Sequence, residues 1–199
     1  MFTEVEQALE EEIRNKNHRI YRSFTLPIPD CQNQLVSQAL EDNPTHLLFI
    51  EEDVVIPKDG LTKLLAANTD VAFIDYAVAG WSCRAKDRKT GEILWCGLGC
   101  TLIKTGVFDK LEKPYFRVDK ILLLNDWPEQ KWIDAGPKMR YGGQDIWFCR
   151  QVKEKGFQIV QVEGECRHLK LDKLGSAGIN NGLHQISEKE KITKENLIS

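Results

Sequence analysis

Apolar and polar positions along this chain follow the pattern of helices alternating with strands. Apolar residues at Val5, Leu9 and Ile13 recur at helical spacing and predict a first helix. Apolar runs at 47–50 and 71–78 predict buried strands. Strands that alternate with helices predict an α/β fold, with a mostly parallel central sheet that carries helices on both faces.

The second half of the chain continues this pattern. Two glycines precede Asp145, which is expected to open another helix, and Gly156 supplies its stop signal. The apolar face of this helix is formed by Ile146, Phe148, Cys149 and Val152. A polar strand that carries His168 is predicted after it.

Three acidic residues, Glu51, Glu52 and Asp53, end the first apolar strand abruptly. Side chains two residues apart on a strand point the same way, so Glu51 and Asp53 are expected to project together. Carboxylates at the end of a buried strand need a positive partner, and a divalent cation binds oxygen ligands well. A solvated strand end followed by a turn is the alternative interpretation of the same residues.

The order of these features resembles the glycosyltransferase-A fold, and within it the family-2-like nucleotide-sugar glycosyltransferases. The acid triplet is similar to the Asp-x-Asp metal motif of that family. Residues 143–145 are similar to its Gly-Glu-Asp motif, with Gln144 in place of Glu, and His168 lies where many members carry a late metal ligand. The resemblance covers residues 19–171 and implies a minimal Rossmann-like sheet that lacks the usual first strand.

The resemblance implies a metal-dependent transfer of a sugar from a nucleotide-diphosphate donor to a glycan or other acceptor hydroxyl, expected to be inverting. Asp53, Glu51 and His168 would hold Mn²⁺ or Mg²⁺. Asp145 would be the base that accepts the acceptor proton. Two structural alternatives stay open: Asp145 as a helix N-cap, and His168 as a residue with only a structural role.

The resemblance also implies contacts to both substrates. The donor nucleotide would be contacted by Glu51, Glu52, Asp30 and Asn33. The acceptor or sugar would be contacted by Gly99, Gly143, Gln144 and Trp147. Purely structural roles stay open for three of these residues: Asp30 suits a helix cap, Gly99 and its neighbouring glycines suit a bulge or tight crossing, and Trp147 suits core packing.

Length and pattern predict one catalytic domain over residues 1–175. Residues 119–140 show no clean period and are expected to form a loop, which is interpreted as a lid over the acceptor site or as a surface excursion. Residues 176–199 form a polar C-terminal tail, to which no chemistry is assigned.

Composition narrows the function classes. A net charge of −3 argues against general nucleic-acid binding, which needs a basic face. No apolar run approaches ~18 residues, so no transmembrane segment is expected. The six cysteines have no CxxC spacing. Buried free thiols in the cytoplasm are therefore expected rather than a zinc site at Cys96 and Cys100.

Two other functions are consistent with the same acidic residues. One is a metal-dependent phosphohydrolase or nucleotidyltransferase, although no Gly-rich phosphate loop of the Walker type is present. The other is a non-catalytic module that binds a nucleotide sugar or a glycan. Turnover of a donor with Mn²⁺ distinguishes these functions from sugar transfer.

Overall fold

The structure is a computed structural model, and it describes residues 2–23, 26, 28–78, 81–118, 120–122, 132–134 and 143–169. The predicted tail at 176–199 lies outside the described residues. So does most of the predicted lid at 119–140, where the described residues form a short antiparallel ladder between 120–122 and 132–134.

Five helices are found in the described residues: α1 Thr3–Ile13, α2 Asp30–Glu41, α3 Gly60–Ala66, α4 Thr105–Phe108 and α5 Gln144–Glu154. The first helix buries Val5, Leu9 and Ile13, as their spacing predicts. The last begins at Gln144, one residue earlier than predicted. None of these helices is long and apolar enough to cross a membrane.

Ten strands are found in the same residues. They are β1 His46–Ile50, β2 Val54–Val55, β3 Val71–Val78, β4 Trp81–Ser82, β5 Arg84–Lys86, β6 Ile93–Cys96, β7 Cys100–Lys104, β8 Lys120–Leu122, β9 Trp132–Asp134 and β10 Ile159–His168. The main sheet has the order β1-β7-β3-β10-β2, with β4 paired to β3. Strands β5 and β6 form a separate hairpin.

The main sheet is mixed, so the predicted mostly parallel, Rossmann-like sheet is wrong. Among the described strands, only β3 and β10 pair in parallel. Strand β7 is antiparallel to both β1 and β3, and β2 and β4 are antiparallel to their partners as well. The physical reason lies in the chain between β3 and β7. Its described residues form strands and turns without a helix, and a parallel return needs a crossover connection, which is usually helical.

Two apolar clusters lie on opposite faces of β3, whose successive side chains alternate between them. Val71 and Phe73 belong to the first cluster, with residues of α2, α4 and α5. Ala72 and Ile74 belong to the second, with residues of α1 and α3. Strand β3 is thus buried on both faces, and its two polar residues, Asp75 and Tyr76, lie near its carboxyl end.

Candidate functional site

The candidate site lies at the edge of the main sheet where β1, β3 and β10 end. Strand β7 runs antiparallel to both β1 and β3, so β1 and β3 point in the same direction. Strand β10 is parallel to β3 and therefore ends at this edge too. The edge collects the turn at 51–53 after β1, Asp75 and Tyr76 of β3, and His168 of β10.

Asp53 and His168 lie side by side at this edge, a proximity that the family resemblance implies. The Nε2 atom of His168 is 3.5 Å from Oδ2 of Asp53, and both side chains are largely buried. The backbone fixes the pair: His168 is opposite Val54 in the β2–β10 ladder, and the amide of Leu169 donates to the carbonyl of Asp53 at 2.8 Å. The acidic residues themselves lie in a turn, because β1 ends at Ile50.

The Asp53–His168 pair suits a divalent cation that binds together with a phosphate ligand. A separation of 3.5 Å exceeds an ordinary hydrogen bond, yet two metal–ligand bonds of about 2.0–2.2 Å can span it. The described residues offer no group of three or more His, Cys, Asp or Glu side chains that could hold a metal ion. Mg²⁺ typically takes only one or two protein carboxylates and completes its shell with substrate phosphates and water.

The second ring nitrogen of His168 also bears on metal binding. Its Nδ1 atom is buried and has no hydrogen-bond partner among the described residues. A metal-ligating histidine usually donates its other ring N–H to an acceptor. Within the part of the chain that is described, only Asp53 forms an ion pair with this ring.

Tyr76 connects Glu51 to the glycine-rich segment before β7. The Tyr76 hydroxyl donates to Oε2 of Glu51 at 3.4 Å and accepts from the amide of Gly99 at 3.3 Å. A Cβ atom on Gly97 would lie 2.5 Å from this hydroxyl, and one on Gly99 would lie 2.7 Å from the Tyr76 ring. The two glycines therefore make room for Tyr76, which supports the tight-crossing interpretation of this segment.

The Tyr76 hydroxyl stays protonated at neutral pH. Burial raises its pKa far above the usual value, and the neighbouring carboxylates of Glu51 and Asp145 raise it further. The hydroxyl can therefore act as a hydrogen-bond donor but does not supply a phenolate.

Asp75 forms an ion pair with Arg84 beside this edge. The Nε atom of Arg84 donates to Oδ2 of Asp75 at 2.8 Å, and Oδ1 of Asp75 accepts from the amide of Tyr76 at 3.0 Å. Sequence reasoning missed Asp75, Tyr76 and Arg84. The signal that could have found them was an acidic residue inside the apolar run 71–78, since such a residue needs a partner.

Asp145 is half-buried in the first turn of α5, and its carboxylate acts electrostatically on Tyr76 and Cys83. Burial raises the pKa of its carboxyl group, and a hydrogen bond from the amide of Ile146 at 2.8 Å opposes this effect. The N-cap of α5 is Gly143, so Asp145 is not the cap. A buried thiol pair holds this helix against β6, because the amide of Cys96 donates to the sulfur of Cys149 at 3.5 Å.

The other residues predicted near the acceptor have structural surroundings of their own. Gly143 has a φ of +83°, a conformation that favours glycine. Gln144 is buried, and its Oε1 atom has no hydrogen-bond partner among the described residues. Trp147 is half-buried, with the guanidinium of Arg117 5.2 Å from its ring centroid.

The residues predicted to contact the nucleotide do not gather into one cluster. The side-chain amide of Asn33 forms two hydrogen bonds with the backbone of Phe116. It donates to the Phe116 carbonyl at 2.9 Å and accepts from the Phe116 N–H at 3.1 Å. Asp30 is exposed at the start of α2 and makes no side-chain cap bond. Glu52 is exposed, whereas Glu51 is half-buried. Nucleotide binding by these residues stays a prediction.

All six cysteines are free thiols. Burial raises the pKa of Cys83 to about 11, and the carboxylates of Asp145, Glu51 and Asp75 contribute to the shift. Burial and its neighbour Cys149 raise the pKa of Cys96 as well. Thiols with raised pKa values stay protonated at neutral pH, which disfavours a thiolate nucleophile at this site.

Comparisons with known proteins find a similarity of fold. No family model matches it, and no curated protein matches it. Among solved structures, the chain is similar to the crystal structure of A197 from STIV, at 18% sequence identity and a TM-score of 0.50. The similarity covers 77% of this chain and 73% of A197, and at this identity it concerns the fold alone.

The assignment to the glycosyltransferase-A fold family is wrong by these findings. The family resemblance implies a mostly parallel sheet, whereas the main sheet has a single parallel pairing. The short motifs that carry the resemblance matched no family model either. Evidence for a function therefore comes from the residues of the site.

Proposed function

We propose that this protein is a metal-dependent transferase that moves a sugar from a nucleotide-diphosphate donor to an acceptor hydroxyl. The observation that carries the proposal is the Asp53–His168 pair, 3.5 Å apart, at an edge that also holds Glu51. The Asp145 carboxylate, on α5, acts electrostatically on Tyr76 of this edge. Such a pair fits a cation bound together with phosphate oxygens. A separate carboxylate fits the removal of a proton.

In this proposal Asp53 and His168 would hold Mg²⁺ or Mn²⁺. When bound, the ion would offset the negative charge that develops on the leaving diphosphate. Glu51 would assist through water or the ribose of the donor, and its half-buried carboxylate is held by the Tyr76 hydroxyl.

Asp145 would act on the acceptor. The acceptor oxygen would form a bond to the anomeric carbon of the donor while the bond between that carbon and the diphosphate breaks. The electron pair of the broken bond would leave with the diphosphate, and the acceptor proton would pass to the Asp145 carboxylate. The raised pKa of this carboxyl group suits a base that works near neutral pH.

The proposal is tested by donor turnover with and without a divalent ion. A panel of nucleotide-diphosphate sugars is incubated with the protein and Mn²⁺, and released nucleoside diphosphate and transferred sugar are both measured. We expect turnover that excess EDTA abolishes. Asp53→Asn should abolish it too, whereas Asp59→Asn, a change of an exposed acidic residue in the same segment, should retain it.

His168 has its own control. His168→Ala should weaken the Mn²⁺ dependence of turnover and alter metal preference. His46→Ala should leave both unchanged, because His46 begins β1 and lies at the opposite end of that strand from the acidic turn. Full activity in EDTA, or identical metal titrations for the two histidine variants, would contradict the metal role.

The same assay separates the remaining alternatives. Nucleoside monophosphate released from a donor without a sugar would indicate a phosphohydrolase or nucleotidyltransferase. Binding without turnover would indicate a non-catalytic module.

A cytoplasmic location, expected from the free cysteines, belongs to this proposal as well.

A further inference from the structure

An open cleft of about 270 Å³ lies where β10 separates from β3, beside the candidate site. A bulge causes the separation: the β10 residues Gln161 and Glu165 are four positions apart, but their β3 partners Phe73 and Asp75 are two apart. Gly164 lies inside the bulge with a φ of +139°, a conformation that L side chains rarely adopt. Bulges commonly occur next to active sites, where they redirect side chains.

The walls of the cleft are polar. Ser82, Gln161 and Glu165 contribute side chains that make no hydrogen bond or ion pair to other residues in the described part of the chain. Asp75 lines the cleft too, with its carboxylate oriented by Arg84. A hydroxyl, an amide and carboxylates together donate to and accept from the hydroxyl groups of a ligand.

Asp145, to which the proposed function assigns proton removal, acts electrostatically on Tyr76, a residue that lines the cleft. Cys83 connects the two, since its amide donates to the carbonyl of Tyr76 at 2.9 Å, and Tyr76 lines the cleft. Asp75 and Asp145 both raise the pKa of the Cys83 thiol, so both carboxylates lie within electrostatic range of one side chain. Asp75, which lines the cleft, and Asp145 thus act on the same thiol.

We propose that this cleft binds the acceptor, and that the acceptor is an uncharged or cationic carbohydrate unit. The identification of the ligand as an acceptor rests on the proposed function. The volume is just below the roughly 300–1,000 Å³ that holds drug-sized ligands, which suits one sugar unit. Two carboxylates, those of Asp75 and Glu165, line the cleft, and the Arg84 guanidinium is paired with Asp75, so a ligand with its own carboxylate is disfavoured.

The test measures binding directly and needs no donor. Neutral methyl hexosides of gluco, galacto and manno configuration are titrated into ¹⁵N-labelled protein, each beside its uronic-acid counterpart. We expect at least one neutral hexoside to shift the amide signals of Ala77 and Gly164 and the side-chain amide of Gln161. Its uronate counterpart should bind at least tenfold more weakly.

Substitution of Glu165 provides the matched comparison. Glu165→Gln should weaken binding of the neutral hexoside by roughly tenfold, the effect of one lost hydrogen bond to a charged group, and should narrow the discrimination against the uronate. Glu163→Gln changes an exposed acidic residue of the same strand that does not line the cleft, and it should alter neither quantity.

The outcomes distinguish this inference from the proposed function. Hexoside binding at the cleft in a protein that turns over no donor would support the cleft and contradict the transferase. Three results would overturn the inference: no neutral hexoside shifts the cleft signals, the shifts occur elsewhere, or the uronate binds as tightly as its neutral counterpart.

Discussion

The ring of Tyr76 lies parallel to the imidazole of His168, with ring centroids 5.9 Å apart and planes 2° apart. The hydroxyl of the same tyrosine bonds Glu51 and the amide of Gly99. Tyr76 thus packs against His168, a proposed metal ligand, and donates a hydrogen bond to Glu51 of the acidic turn. Its position on β3, between β7 and β10, allows it to reach both.

Tyr76→Phe tests the hydroxyl separately from the ring. The ring should remain next to His168, but the buried amide of Gly99 would lose its acceptor. We expect the free energy of unfolding to fall by about 1–3 kcal/mol, the usual cost of a buried group left unsatisfied. Tyr115→Phe is the control, because Tyr115 is buried and no side-chain hydrogen bond of its hydroxyl is found among the described residues. Equal losses in urea unfolding would contradict the role of the Tyr76 hydroxyl.

Gly99→Ala tests the space that Tyr76 occupies. The added Cβ would lie 2.7 Å from Cζ of Tyr76, closer than real Cβ contacts come. Overpacking of this kind costs about 1–3 kcal/mol. Gly106→Ala is the control, since its Cβ would meet nothing within 4 Å and alanine favours the helix that contains it. Combining Gly99→Ala with Tyr76→Leu should cost less than the sum of the single changes, and additivity would argue against the contact.

The strand β3 and the Asp53–His168 pair show what the sequence could predict. The run at 71–78 forms a strand with the predicted bounds because apolar side chains occupy both of its faces over most of its length, and Asp75 has Arg84 as its partner. Asp53 and His168 meet because the acidic turn follows β1 while His168 ends β10, and both strands finish at one edge. The sequence indicated this proximity only through the family resemblance, because the apolar pattern does not tell which strands end at one edge.

Strand direction could not be predicted from the apolar pattern. An apolar run is equally consistent with a strand that runs either way, and direction depends on which edge the connection returns to. After β3 the chain forms the short strands β4, β5 and β6 near the site, and β7 then starts at the edge where β3 ends. The role of Gly97 and Gly99 in making room for Tyr76 could not be predicted either, because Tyr76 is distant from them in sequence.

Asp145→Asn separates proton removal from helix stability. Asn retains an oxygen that can accept from the amide of Ile146, and Gly143 remains the N-cap, so α5 should stay folded. Sugar transfer should fall by the roughly 10²–10⁴-fold typical of a lost general base, with donor affinity unchanged. Near-full transfer in a stable variant would exclude Asp145 as the base.

The pH dependence of stability gives a second test of Asp145 that needs no substrate. Burial raises the pKa of this carboxyl group in the native state, so between the unfolded and native pKa values the native protein holds a proton that the unfolded chain has lost. The contribution to stability is therefore complete below the unfolded pKa and is lost as the pH rises through the native value. The Asp145→Asn variant lacks this titration. As the pH rises across this window, the free energy of unfolding of the variant should increase relative to that of the unsubstituted protein. Both are measured by urea unfolding without divalent ions. If the difference in free energy of unfolding between the two proteins stays constant with pH, the carboxylate is not destabilised by its surroundings. Asp145 would then lack the raised pKa that suits a base.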